Sequence, residues 1–280
     1  DRSIIRMINA NTTANFTLIS LTKCNYKKYL NKKINYIELE AKRALFSIFE
    51  LKKKVLGLIE KSKNQKNIFV SNQNFANIVT ILSLQKIKNI KTILIDRNHL
   101  DELSNPKNFI DFIKKKIMLL LIKLTYKNAN AVVGISKILS KDLSKFIKKK
   151  VQIIYNPAMD SSIYLKVSNN IKLPKKVFKK KIILNVGFFE NQKDQITILK
   201  AFKLLTLEFT NLHLILIGRG SLLKNLKEFV KSQNLEKKVS FLTSINNPTK
   251  YYKIADLFVL SSKYEGFGNV LVEALKHNCP

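Results

Sequence analysis

Two carboxylates, one amine and a glycine loop stand in the second half of the chain at spacings that suit phosphate chemistry. The stretch Ser261-Ser262-Lys263-Tyr264-Glu265-Gly266-Phe267-Gly268-Asn269 follows an apolar run and precedes a helical pattern. Gly266 and Gly268 let backbone approach a ligand closely. A helix opening after Gly268 would offer unpaired N–H groups and the positive end of its dipole, a natural phosphate site. Glu265 lies just before that helix, and Glu273 about two turns inside it. An ordinary strand–helix turn with a surface Glu would read the same, so spacing leaves both open. The other loop is Asn185-Val186-Gly187-Phe188-Phe189-Glu190-Asn191-Gln192-Lys193-Asp194. Lys193 falls near the start of the next helix, where the dipole disfavours a cation. An anion between the loops would explain it; the plain alternative is one more lysine in a lysine-rich chain.

These residues need elements to hold them. Short β-branched runs alternate with helical patterns, which is the signature of βαβ units and a parallel sheet. In the first half the expected strands are 16–20, 34–39, 67–70, 92–96, 131–135 and 151–154, with helices over 41–61, 75–86, 106–127 and 137–148. In the second half the strands are 181–186, 212–217, 239–242 and 257–260, with helices near 193–208, 221–233 and 247–254 and another after Gly268. Asn156-Pro157 reads as a turn. Residues 1–159 are expected as one domain, 160–179 as a linker and 180–280 as a second domain. With strand order 3-2-1-4, the first strand of the second half lies beside its fourth, and a crevice opens at their carboxyl ends. Those ends are the loops 187–192 and 261–268.

Composition sets outer bounds. With 46% hydrophobic residues in 280, the chain can fill one or two cores. The net charge of +32 is spread along both halves, with Lys far exceeding Arg. A nucleic-acid binder concentrates its charge on a patch or tail, so no nucleic-acid partner is expected and compositional bias is the plainer reading. Such charge would still attract anionic phosphates or an anionic membrane face. The segment from Phe109 to Leu119 joins apolar bulk to Lys114, Lys115 and Lys116. It would lie in a membrane interface or cover the first sheet, and the sheet's need for apolar helices on both faces favours the second. The longest apolar run, Ile117 to Leu124, contains Lys123 and is too short to span a bilayer, which takes about 20 residues. Cys24 and Cys279 form no framework or zinc pattern, so a reducing cytoplasm is expected, with peripheral attachment to the inner face of the plasma membrane as the variant.

NVGFFENQKDQITILKAF, then LHLILIGRGSLLKNL, then VSFLTSINNPTKYYKIADLFVLSSKYEGFGNVLVEAL resembles the donor domain of family 4 retaining glycosyltransferases. Glu265 and Glu273 match that family's Glu-x7-Glu motif, and Lys193 its diphosphate-contacting lysine. DRNHL at 96–100, AVVGISK at 131–137 and IIYNP at 153–157 are similar to the acceptor domain of polysaccharide and lipid-linked oligosaccharide transferases. The resemblance covers nearly the whole chain. It implies an α/β chain of GT-B type, with two Rossmann-like doubly wound domains facing across a cleft. Both would be incomplete: Asp1-Arg2 resembles the end of a Gly-Gly-x-Glu-Arg segment, and Pro280 precedes the family's last strands. Glu273 would then hold the donor's ribose, and Glu265 would act beside the anomeric centre. Gly187, Lys193, Gly266, Phe267, Gly268 and Asn269 would hold the diphosphate. His99 would face the sugar from the other domain as a second catalytic residue; a lone loop histidine is otherwise a surface residue.

The implied activity is retaining transfer of a hexosyl or N-acetylhexosaminyl group. The donor would be a nucleotide sugar, UDP-linked, and the acceptor a glycan or lipid-linked glycan, as in lipopolysaccharide or other cell-surface polysaccharide synthesis. The family needs no metal or other cofactor, and no Asp-x-Asp cluster argues otherwise. The chain departs from the pattern at Phe188, where the family usually has Arg; one diphosphate contact would then be absent, or Lys263 or Arg219 would substitute. Gly218-Arg219-Gly220 lacks the third glycine of a dinucleotide fingerprint, with Leu223 there instead. The alternatives are a catalytically weak glycosyltransferase-like binding subunit, which Phe188 favours, and a sugar-nucleotide epimerase.

Overall fold

A computed structural model describes residues 8–9, 15–22, 30–31, 34–39, 41, 44–62, 65–106, 108–156, 173–245 and 247–280. Asp1, Arg2, Cys24 and residues 160–172 of the expected linker lie outside the described residues. The chain divides into two compact units, Asp1–Pro157 and Ala158–Pro280.

In the first unit β1 (Thr17–Ser20) and β2 (Asn35–Glu38) pair in parallel. A separate parallel sheet has the order β3 (Asn67–Asn72), β4 (Ile90–Asp96), β5 (Ala131–Gly134) and β6 (Gln152–Ile153). Its helices are α1 (Ile48–Lys61), α2 (Asn74–Leu84), α3 (Phe109–Thr125) and α4 (Lys137–Ile147). Capping chemistry sets where two of them begin, α3 three residues later than the apolar pattern and α4 where it was expected. Asn108 opens α3 by accepting from the Asp111 N–H at 2.8 Å, and Ser136 opens α4 by accepting from the Leu139 N–H at 3.4 Å. The expected helix over 41–61 begins instead as a 3-10 turn, Ala44–Ser47, and 106–127 ends in another, Tyr126–Asn128. Leu51 and Val55 of α1 and Val79 and Leu84 of α2 share one core cluster with Leu39.

The second unit is a parallel sheet of β7 (Lys181–Val186), β8 (Leu212–Ile217), β9 (Val239–Leu242) and β10 (Leu257–Phe258). Its helices are α5 (Gln195–Glu208), α6 (Leu223–Ser232), α7 (Thr249–Ile254) and α8 (Asn269–Lys276). The strand order is β9-β8-β7-β10, the expected 3-2-1-4. Successive β8 residues feed opposite faces. Leu214 and Leu216 join Leu199 and Phe202 of α5, while Ile215 and Ile217 join Tyr251 and Tyr252 of α7. Burial on both faces is what a parallel sheet requires, and it explains why its strands are continuous apolar runs. A 3-10 turn, Lys175–Lys179, packs Val177 into the second cluster, so the last residues of the expected linker join this unit's core.

Candidate functional site

The order reversal between β7 and β10 places the two unusual loops side by side. Hydrogen bonds stitch them together. The Lys263 N–H donates to the Gln192 carbonyl at 2.9 Å, and the Gln192 side-chain amide donates to the Tyr264 carbonyl at 2.9 Å. The Ser261 hydroxyl lies 2.8 Å from the carbonyls of both Lys193 and Asp194. Deeper down, the Asn185 amide reaches from the end of β7 to the Val259 carbonyl at 2.8 Å. Asp194 turns the chain into α5 through a left-handed conformation, φ 48°.

Across this seam the Lys193 ammonium forms a salt bridge with the Glu265 carboxylate. Both side chains are three-quarters or more buried, at 18% and 25% exposed, so the pair is shielded from the screening that weakens surface pairs. The Ser262 hydroxyl donates to the same carboxylate oxygen at 2.7 Å. The anion that reconciles Lys193 with the start of α5 is therefore, in this structure, Glu265. Gly268 then takes φ 61°, a conformation that L side chains rarely adopt, and Asn269 begins α8. Glu273, one helix turn further along, is half-buried and accepts from the Tyr252 hydroxyl at 3.1 Å.

The loop from Gly187 is braced from behind by the turn after β8. A methyl at Gly218 would overlap the Gly187 carbonyl oxygen, and one at Gly220 would overlap the Phe189 carbonyl. The Phe189 N–H donates to the Arg219 carbonyl at 3.0 Å, and the Glu190 carboxylate accepts from the Ser221 N–H and hydroxyl at 2.9 and 2.8 Å. Gly218-Arg219-Gly220 is thus a close-packing device for the neighbouring loop. Arg219 and Lys263 are exposed, and Phe188 is 58% exposed.

His99 belongs to the first unit, where it follows β4. Its Nε2 lies 3.2 Å from Asp142 of α4, and its Nδ1 accepts from the Asp101 N–H at 3.3 Å. Beside it, at the carboxyl edge of the sheet, Arg97 donates to Asn72 at 2.8 Å and to Asn156 at 2.9 Å. Two motifs of the first half, DRNHL and IIYNP, meet through that second bond.

Asp96 lies under this edge and is 1% exposed. The Tyr126 hydroxyl donates to it at 3.2 Å, and Asn74, with its amide nitrogen turned inward, donates to both oxygens at 2.7 and 3.0 Å. Burial raises its pKa from 3.8 to about 7, against the opposing hydrogen bonds from the Asn98 N–H, Tyr126 and the Arg97 N–H. The unfolded carboxyl gives up its proton near 3.8 while the folded one keeps it. This group's stabilising contribution is therefore complete below that value and falls as pH rises towards about 7. Asp96→Asn is expected to flatten the fall: urea melts at pH 5 and 8 should differ less in the variant than in the parent. Equal differences would place the titration elsewhere.

Lys193, Glu265, Gly187, Gly266, Phe267, Gly268 and Asn269 therefore lie in the two loops of the second unit, Glu273 further along α8 against Tyr252, and His99 in a cluster of its own in the first unit. Sequence reasoning did not single out Gln192, Ser261, Ser262, Asn185 or Tyr252, which position them. Asn185 carried a signal, being the polar residue in the apolar run of β7. Among the described residues no three His, Cys, Asp or Glu side chains are placed to hold a metal ion.

Comparison with known proteins agrees with this geometry. Residues 168–280 match the family of group 1 glycosyl transferases. An uncharacterized glycosyltransferase of Methanocaldococcus jannaschii is 31% identical over 213 residues, 72% of this chain and 51% of that protein. The N-acetylgalactosamine-N,N'-diacetylbacillosaminyl-diphospho-undecaprenol 4-alpha-N-acetylgalactosaminyltransferase of Campylobacter jejuni is 35% identical over 162 residues, 57% of this chain and 42% of that protein. The chain thus spans about half the length of these relatives. The solved structure of Anabaena HepE in complex with UDP-glucose superposes with a TM-score of 0.68 at 18% identity, over 94% of this chain and 71% of that one. With the seam, the strand order and these likenesses together, residues 168–280 belong to the group 1 glycosyl transferases and the chain has the GT-B fold.

Proposed function

We propose that the protein transfers a sugar, with retention at the anomeric carbon, from a UDP-sugar to a glycan or lipid-linked acceptor in cell-surface polysaccharide synthesis. The observation that carries the reading is the convergence of Lys193, Glu265 and the start of α8 on one seam at the order reversal. Lys193 and the N–H groups of Gly266–Asn269 would hold the diphosphate and take up its charge as the sugar–phosphate bond breaks. Stabilising developing charge in this way is often the largest catalytic contribution. Glu265 would stand beside the donor sugar. Glu273 would accept the ribose hydroxyls, its carboxylate oriented by Tyr252. The names of the Campylobacter and Anabaena proteins, an N-acetylgalactosaminyltransferase and a UDP-glucose complex, support a hexose or N-acetylhexosamine on UDP. This reading calls on no cofactor.

Glu273→Ala is expected to weaken UDP binding by about 1–3 kcal/mol, the value of a hydrogen bond to a charged group. Calorimetry on the intact protein measures it, and unchanged affinity would remove Glu273 from the site. A second reading, a binding subunit with weak catalysis, is favoured by Phe188, which presents an exposed ring where the resembling enzymes have Arg. Sugar transfer or donor hydrolysis by the purified protein separates the two.

A further inference from the structure

Helix α3 has two apolar faces. One packs into the first unit through Met118, Ile122 and Thr125. The other points outward and carries Phe109, Ile110, Ile113, Ile117, Leu120 and Leu124, each between 43% and 74% exposed. At about 100° per residue these six side chains fall within one sector roughly 100° wide. Lys116 and Lys123 flank the sector on one side and Lys114 on the other. Lys115 does not belong to that rim: it pairs with Asp111 at 3.2 Å and donates to the Asn105 carbonyl at 2.6 Å. Lys116 also lies over the Phe112 ring, 5.4 Å from its centre.

We propose that this outward stripe lies flat in the interface of an anionic lipid bilayer. A sheet-covering helix, which the sequence also allowed, explains the inner face and leaves the outer one without purpose. Seventeen helical residues make a surface contact about 25 Å long. Among the described residues no helix is long and apolar enough to cross a membrane. Flanking lysines suit the polar boundary, because their stems lie along apolar surface while the ammonium reaches the headgroups. Their sign, and the net charge of +32, complement anionic lipid. The helix begins at Phe109, shortly after His99 and the 3-10 turn Leu100–Leu103.

The test is flotation of the intact protein with phosphatidylcholine vesicles, with and without phosphatidylglycerol, at low and high salt. Binding is expected on the anionic vesicles and should weaken with salt. Lys114→Gln, Lys116→Gln and Lys123→Gln should each lower affinity about fivefold, the equivalent of about 1 kcal/mol per surface cation. Lys115→Gln should not. Ile117→Asp combined with Leu120→Asp should abolish binding while the circular dichroism melt stays unchanged, since both side chains are exposed. The 280 residues contain no Trp, so Leu120→Trp adds a reporter whose emission should move to the blue when anionic vesicles are added. Three results would overturn the proposal. They are equal binding to neutral vesicles, full binding by the double aspartate variant, and Trp emission already blue without lipid. The last would show the stripe covered by protein, its own or a second copy.

Discussion

Glu265→Gln is expected to lower sugar transfer by about a hundredfold or more, the range seen when a preorganised charge-stabilising group is removed, while free UDP binds up to about tenfold more tightly, or about 1.4 kcal/mol. The opposite signs follow from the salt bridge. In this structure the Glu265 carboxylate holds the Lys193 ammonium and accepts from Ser262. If the diphosphate takes Lys193, it must compete with that carboxylate. The amide keeps the shape and still accepts from Ser262, but it gives up the charge that holds the lysine. Transfer suffers because the negative group beside the anomeric centre is gone. Turnover with a UDP-sugar and calorimetry with UDP read the two effects separately. Weaker UDP binding together with full turnover would show that Glu265 neither competes with the diphosphate nor assists the chemistry.

Gly218→Ala should damage the site from behind. The added methyl would overlap the Gly187 carbonyl oxygen and meet the Phe189 ring at 3.2 Å. The obstacle is backbone, so the loop leading to Lys193 must retreat. A loss of about 1–3 kcal/mol of stability is expected, as for an overpacked core, with UDP binding reduced at least tenfold because Lys193 and Gln192 leave the seam, a change of about 1.4 kcal/mol. Gly57 is the control. It lies in α1, a methyl there meets nothing within 4 Å, and Gly57→Ala should raise stability by about 0.5–1 kcal/mol. Thermal melts and UDP calorimetry on both variants decide the matter. A Gly218→Ala protein that melts and binds like the parent would deny the bracing contact.

The strands of the second unit were legible because they are largely apolar runs, as a sheet buried on both faces requires, and the doubly wound pattern supplied their order. The crevice followed from topology. The partner of Lys193 did not: it lies 72 residues away, and spacing along a chain says nothing about contacts across a seam. Gly218-Arg219-Gly220 could be read as an incomplete nucleotide fingerprint, but not as a brace, because its reason is the backbone of another loop. In the first unit Asp96 was the end of an expected strand and the first residue of the DRNHL motif. Its burial beneath Asn74 and Tyr126 depends on where α2 and the turn after α3 settle. The double-faced character of α3 was half visible: composition showed apolar bulk beside lysine, and only the packing of Met118 and Ile122 fixed which face is left over.

The position of β10 also sets an order of events during synthesis. A chain grows from its amino end, and domains begin to fold as they emerge. When β7, β8 and β9 have formed, the flank of β7 that will receive β10 is an unpaired edge, open to any passing strand. Lys193 is by then in place without its acid. Leu257 and Phe258 close that edge by pairing with Ile183 and Leu184, and seven residues after Phe258 the chain delivers Glu265. The crevice is therefore completed only after the other three strands of the sheet. Until residues 257–265 are in place, the half-site is cationic and open-edged.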